Sequence, residues 1–298
     1  VKHNDVPAGQ VSVRARIDAG ALYEEDDEQG YAHLLEHLAF RGSEYVPDGE
    51  SKRIWQRLGV SFGSDSNAQT TPTQTVYKLD LPSAKPASLE ESFRMLSGML
   101  RAPNISQAAL DAERAIVLAE LREADSVQLR LDDKTRAHFF QGQKMARRAT
   151  IGTPETLAKA DLVRLRAFHK RWYRPENAVI VVSGDAQPAE LEQYVRKHFG
   201  SWRVDGAKAP QPDFGKPVKD GAKAVTITDP ALPMMATLAY TRPWRQKNDT
   251  IAYNEQLMID GIAQRIINRR LENLARDGAS FTLAQLGQQD VSRTADLT

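Results

Sequence analysis

The residues with the most chemistry in them are His33-Leu34-Leu35-Glu36-His37. On a helix, positions i and i+4 share a face, so both imidazoles can reach one ion. Glu36 projects one position before His37, close enough to that face to serve a metal-bound water without being a ligand. A catalytic zinc takes three protein ligands and keeps one position open. The chain has no cysteine, so the third ligand must be a histidine or a carboxylate. The other histidines, His3, His138, His169 and His198, stand singly along the chain. Residues 106–123 offer more: Glu113 and Glu120 lie seven positions apart, two helical turns, and so share a face. Spacing alone leaves open which of the two carboxylates would be the ligand.

The elements that must carry these groups follow from periodicity. Residues 10–18 alternate Val11, Val13, Ala15 and Ile17 with polar neighbours, the pattern of a half-buried strand. An acidic loop at 24–28 leads through Gly30 into the helix that holds the two histidines. A shorter helix is expected at 49–58, with Ile54, Trp55 and Leu58 on one side. Residues 60–73 are polar and small, and 74–81 alternate again as a strand. Helices are expected at 88–100 and 106–123, the second with Leu110, Ile116, Val117 and Leu121 as core contacts. Thr153-Pro154 is a helix start with a capping hydroxyl and a proline at the first position. Residues 161–172 and 188–199 read as helices, with a short apolar strand at 178–183 between them.

Residues 201–221 are rich in proline and glycine and have little periodicity, so they read as a linker. Beyond it, 224–228 and 234–240 are expected strands and 250–275 a long helix. That order echoes the start of the chain. The resulting expectation is an α+β fold, a mixed or largely antiparallel sheet packed with helices and built from duplicated α/β units. The division expected is a metal-binding unit at 1–202, a linker at 203–222 and the start of a second, homologous unit at 223–298.

Composition narrows the partners. The 298 residues carry 40 basic and 39 acidic side chains, a net charge of +1, with no basic tract. Nothing in this balance points to nucleic acid or an anionic membrane surface. No apolar run approaches the roughly 18 residues of a membrane-spanning helix, and no secretory leader is expected in the residues from Val1 onward. The absence of cysteine excludes disulfides, thiolate metal sites and a cysteine nucleophile.

Taken together, His33-Leu-Leu-Glu36-His37 and the later Glu113-Arg-Ala-Ile-Val-Leu-Ala-Glu120 resemble the inverted-zincin metallopeptidases of the pitrilysin/insulinase family. Asp65-Ser-Asn67-Ala68-Gln-Thr70, Thr75-Val-Tyr77 and Trp172-Tyr-Arg-Pro-Glu-Asn177 extend the resemblance. It covers residues 10–200 with several separate motifs, and 223–298 more diffusely. The resemblance implies one Zn2+ per chain, held by His33, His37 and Glu120. It also implies Glu113 as the supporting carboxylate of the catalytic site, and Glu36 as the general base that activates a zinc-bound water. Asn67 and Ala68 would pair with substrate backbone by strand addition; by sequence alone Asn67 reads more readily as a turn residue.

The activity implied is zinc-dependent endopeptidase cleavage of short or unfolded polypeptides, inside a chamber closed by a partner subunit or by a C-terminal half. Relatives of this look are bacterial envelope proteins, which implies the periplasm. One departure concerns an arginine and a tyrosine that family members supply from a later domain. The matching stretch here has Leu274 and Phe281 at those places, so the chain is expected to be a fragment of a longer member. The competing readings are a non-catalytic partner or scaffold subunit of a family heterodimer, an inactive fragment lacking its closing half, and a metal-storage or metal-sensing module. The last would not need Glu36 beside the ligands.

Overall fold

Strict alternation buries one face of a strand and leaves the other for solvent. Val11, Val13, Ala15 and Ile17 are fully buried, while Ser12, Arg14 and Arg16 between them are only partly covered. Thr75, Tyr77, Leu79 and Leu81 repeat the pattern. These two strands form the middle of a sheet in a computed structural model that describes residues 1–218 and 221–298. Lys219 and Asp220, inside the expected linker, lie outside the described residues.

In chain order the elements are β1 (Lys2–His3), β2 (Val11–Ile17), α1 (Tyr31–Arg41), α2 (Ser51–Arg57), β3 (Ser66–Thr70), β4 (Thr75–Leu81), α3 (Pro86–Arg101), α4 (Gln107–Glu123) and α5 (Val127–Phe139). There follow α6 (Pro154–Ala158), α7 (Leu162–Trp172), β5 (Ala178–Gly184), α8 (Pro188–Phe199), β6 (Thr241–Pro243), α9 (Ile251–Arg276), β7 (Gln289–Val291) and β8 (Ala295–Leu297). By its contacts the chain divides into two compact units: Val1–Asp133 with Arg147–Asp213, and Lys134–Ala146 with Phe214–Thr298. The segment Lys134–Ala146, inside the span expected to be a single first unit, thus groups with the later one.

In the first unit the strand order is β1-β5-β2-β4-β3. The β1–β5 pair is parallel and the rest antiparallel, so the sheet is mixed and the fold is α+β. β2 is paired along its length on both sides, Val13 lying opposite Leu79 and Val182. β3 is an edge strand, with Asn67 opposite Lys78 and Ala68 opposite Tyr77. α1 packs against β3, β4, α4 and α7. The core is built from the inward strand residues with Leu34, Leu35, Leu38, Leu89, Phe93, Leu110, Val117, Leu165 and Phe168.

Local signals account for several helix starts. Ser106 accepts the Ala109 N–H and starts α4, and Thr153 with Thr156 makes a reciprocal capping box at α6. Three expectations need correction. Ile116 is exposed rather than a core contact, because the inward stripe of α4 runs through Ala109, Leu110, Glu113 and Val117. β3 arises in a stretch too polar for periodicity to announce a strand, through pairing with β4; the strand addition implied at Asn67 and Ala68 agrees with an edge strand there. α5 was not expected, since its sequence has no apolar stripe and it buries no residue.

In the second unit β6, β8 and β7 form a small antiparallel sheet. Gln143 donates through its side-chain amide to the Thr294 carbonyl at 2.9 Å, which ties the segment Lys134–Ala146 to that sheet. The strands expected at 224–228 and 234–240 are absent; regular pairing begins only at Tyr240, whose N–H and carbonyl both bond Thr298. Met234, Met235, Leu238 and Tyr240 are exposed, so the apolar pattern there has no covering layer to bury against. Alternation produces a strand only where such a layer and a partner exist.

His169, on α7, is largely buried. Its Nε2–H donates to the Leu100 carbonyl at 2.9 Å, and the ring stacks on Tyr173. Burial pushes its pKa down from 6.5 to about 4, although the Leu100 carbonyl pulls the other way. The folded state therefore holds the ring neutral while the unfolded chain takes up a proton, so stability is full above pH 6.5 and falls as pH drops toward 4. Allowing for the part of the ring that water still reaches, His169 should contribute a loss of about 2 kcal/mol over that window. Urea unfolding in chelator at pH 7.5 and pH 4.5 should show a smaller acid loss for His169→Gln than for the unaltered protein; an equal loss would contradict this assignment.

Candidate metal centre

α1 is buried on nearly every side. Tyr31, Ala32, Leu34, Leu35, Glu36, Leu38 and Ala39 are enclosed, and the less buried positions are His33, His37, Phe40 and Arg41. Of these, His33, His37 and Arg41, at i, i+4 and i+8, form a stripe that faces α4, while Phe40 packs on Phe62 and Tyr77. The helix starts at Gly30, whose φ of 93° is left-handed, and a Cβ there would lie 2.8 Å from the Ile151 carbonyl oxygen. Glycine has no side chain to cap the helix, and Glu24 serves from a distance: its carboxylate accepts the Gly30 N–H at 3.1 Å and the Ala32 N–H at 2.9 Å. Arginines hold three further acids of the loop, Arg148 on Asp26, Arg164 on Asp27 and Arg171 on Glu28.

On α4, Glu113 and Glu120 both point to this stripe, as their two-turn spacing requires. Glu120 Oε2 lies 3.8 Å from His33 Nε2 and 3.6 Å from His37 Nε2. Ligand atoms of His33, His37 and Glu120 all fall within 4.8 Å of one another; among the described residues they are the one such group of three or more His, Asp or Glu. Glu113 lies one layer behind. His37 Nδ1–H donates to its Oε2 at 3.2 Å, and Arg41 donates to its Oε1 at 3.1 Å. Arg41 in turn grips Asp48 with two hydrogen bonds, at 2.8 and 2.7 Å.

The electrostatics follow from burial and neighbours. His33 is pushed down to about 4 by burial and by the His37 charge, so it is neutral at physiological pH. Burial also disfavours the charged form of His37, but the Glu113 hydrogen bond and the charges of Glu120, Glu113 and Glu36 outweigh it and raise its pKa. For Glu113, burial pulls upward and the bonds from His37 and Arg41 prevail, holding the carboxyl below its usual range. Glu36 is raised by burial against the opposing hydrogen bond from Thr70, and it feels the charges of His37 and Glu120. Thr70 Oγ1 donates to Glu36 Oε2 at 2.5 Å.

The donor set suits zinc. Tetrahedral bonds of about 2.05 Å place ligand atoms roughly 3.3 Å apart, close to the 3.6 and 3.8 Å seen from Glu120 to the two histidines. Glu113 accepts from His37 Nδ1–H, so in the neutral ring the Nε2 lone pair faces Glu120, the carboxylate–histidine arrangement found behind metal ligands. Among the described residues the one arginine beside the site, Arg41, is shared between Glu113 and Asp48, so Glu120 faces the two imidazoles with no arginine of its own.

His33, His37, Glu120, Glu113 and Glu36 are thus brought together by two helices. Asn67 and Ala68 lie on β3, which packs against α1. The remaining histidines lie elsewhere: His3 against the Ala186 carbonyl, His169 on Leu100, His198 beside Glu90, and His138 packed on Phe139. Sequence reasoning missed Thr70, Arg41 and Glu24. Arg41, four positions after His37, had a helical-spacing signal; Thr70 and Glu24 reach the site only through the tertiary fold.

Comparison with known proteins adds to this. The family profile described as Insulinase (Peptidase family M16) matches residues 1–153, and that described as Peptidase M16 inactive domain matches residues 159–291. The chain is 27% identical over 297 residues to the probable zinc protease PqqL of Haemophilus influenzae, spanning 97% of this chain and 32% of that protein. It is 33% identical over 214 residues to the chloroplastic stromal processing peptidase of Pisum sativum, spanning 69% of this chain and 16% of that protein. Among solved structures, the first half of the periplasmic protease PqqL from Escherichia coli superposes with a TM-score of 0.82 at 23% identity. That match covers 99% of this chain and 63% of the other. At that identity the likeness speaks for the fold. The chain spans about a third of the length of the PqqL relatives it matches.

The cap on α1 can be tested directly. Burial pushes the Glu24 carboxyl up to about 8, against the Ala32 and Gly30 N–H bonds and the Arg148 charge. Glu24→Ala strands two buried N–H groups at the start of α1 and should cost about 2 kcal/mol or more in urea unfolding. Glu24→Gln, which keeps an acceptor oxygen, should lose less. Equal stability of all three proteins would remove Glu24 from this role.

Proposed function

The chain belongs to the insulinase family (Peptidase family M16), and from that premise we propose that it provides the zinc-binding catalytic unit of an endopeptidase acting on short or unfolded polypeptides. The observation that carries this is the convergence of His33, His37 and Glu120 within 4.8 Å, with the buried Glu36 one residue from His37. The names of relatives, probable zinc protease and stromal processing peptidase, support the reaction class. A storage or scaffold role would leave Glu36 and its hydrogen bond to Thr70 without purpose.

In this reading His33, His37 and Glu120 hold one zinc per chain. Zinc in such a site lowers the pKa of a coordinated water toward ~7 and polarises a peptide carbonyl. Glu36 takes the proton of the attacking water and returns it to the departing amine, a task suited to a carboxyl raised by burial. Glu113, anchored by Arg41, keeps the His37 ring turned so that Nε2 faces the ion. Asn67 and Ala68 lie on the sheet edge where an extended peptide would add as a further strand. The Asn67 side chain accepts the Ala68 N–H at 2.9 Å, and a docked peptide would take over that donor. A partner subunit or further chain would close the chamber. Because the Escherichia coli relative is described as periplasmic, the periplasm is the proposed compartment. Among the described residues no helix is long and apolar enough to cross a membrane.

Metal analysis of the purified protein should find about one zinc per chain. Cleavage of a quenched fluorescent peptide library should be abolished by chelator. Glu36→Gln should keep the metal and lose cleavage, whereas His33→Ala should lose both. Full activity in Glu36→Gln would exclude Glu36 as the base.

A further inference from the structure

Glu36 is tied to the edge of the sheet through Thr70 at the end of β3, whose hydroxyl donates a short hydrogen bond to it and whose backbone also bonds it. A hydroxyl carries one hydrogen, and an ionised carboxylate can only accept. Thr75 Oγ1 is 3.5 Å from Thr70 Oγ1, but its own hydrogen is directed to the Ala19 carbonyl at 3.0 Å. The Thr70 hydrogen is therefore committed to Glu36. Behind this pair lie Tyr77 and Tyr173, both buried, their hydroxyls 2.9 Å apart. Both tyrosines feel the Glu36 charge, so they lie in the same buried surroundings. Thr70 also shares a strand face with Ala68, two positions before it.

We propose that Thr70 is the positioning residue of the general base: its hydroxyl pins Glu36 Oε2 to the edge strand, leaves Oε1 as the proton-accepting atom, and registers the base on the same strand along which a peptide is laid. This rests on the peptidase reading above. The Thr70 side chain bonds Glu36 and not His33, His37 or Glu120, so its loss slows the proton-transfer step while leaving zinc and peptide binding in place.

The test uses the complete, zinc-loaded protein and chelator-sensitive cleavage of a quenched fluorescent peptide. Thr70→Val keeps the shape and removes the hydroxyl; kcat should fall about 10–100-fold with zinc content retained. KM should stay within about twofold, since uniform binding is untouched. Thr70→Ser keeps the hydroxyl and should recover most of the lost rate. Thr70→Ala should show the same split as Thr70→Val and serves if the valine does not fit. The proposal is overturned if Thr70→Val and Thr70→Ala keep the kcat of the unaltered protein, if Thr70→Ser is as slow as they are, or if KM rises while kcat holds. Absence of chelator-sensitive cleavage by the unaltered protein overturns the peptidase reading itself, and this inference with it.

Discussion

A helix enclosed on nearly every side can carry polar groups only if its surroundings satisfy each of them, and α1 carries His33, Glu36 and His37. A buried polar group without a partner costs about as much as a lost hydrogen bond, and a charged one more. The structure answers most of them, though His33 Nδ1 and the Tyr31 hydroxyl are buried without a hydrogen-bond partner among the described residues. Glu24 takes the free N–H groups at the start of the helix, Thr70 takes Glu36, and Glu113 takes His37. Arg41 balances Glu113, and Asp48 shares Arg41. Much of the first unit's polar architecture is a consequence of burying this one helix.

The same burial explains why the site suits a cation. The chemistry on α1 faces two carboxylates of α4 across a narrow gap, where water screens charge weakly. His33 is driven neutral and His37 is drawn toward its charged form, opposite outcomes for two histidines one turn apart. The difference lies in the Glu113 hydrogen bond, which only His37 makes, together with the charges of Glu120, Glu113 and Glu36. Such asymmetry is expected when one imidazole is oriented by an outer carboxylate and the other by packing alone. The neighbouring edge strand brings main-chain hydrogen-bonding groups to the same side of α1.

Much of this was legible before any coordinates. Helical spacing placed His33 and His37 on one face, and Glu113 and Glu120 on another, because a turn of helix repeats regardless of context. The alternation in β2 and β4 announced half-buried strands, and Thr153 announced a helix start. Where the pattern was weak, the outcome depended on neighbours. β3 became a strand because β4 was there to pair with it; residues 234–240, more apolar, did not, for want of a layer to cover them.

The sequence by itself determined which residues share a face, where helices begin, and that a histidine and carboxylate site without cysteine was at hand. These are local properties, set by helical and strand periods and by side-chain chemistry. Only the tertiary structure decided that the two glutamates of α4 meet the two histidines of α1, that Glu120 rather than Glu113 stands against both Nε2 atoms, and that Thr70 holds Glu36. Such pairings join positions 34 to 87 residues apart (36 to 70, and 33 to 120), and no local rule reaches that far. They follow from how the buried faces of α1, α4 and the sheet pack together, which is a property of the whole unit.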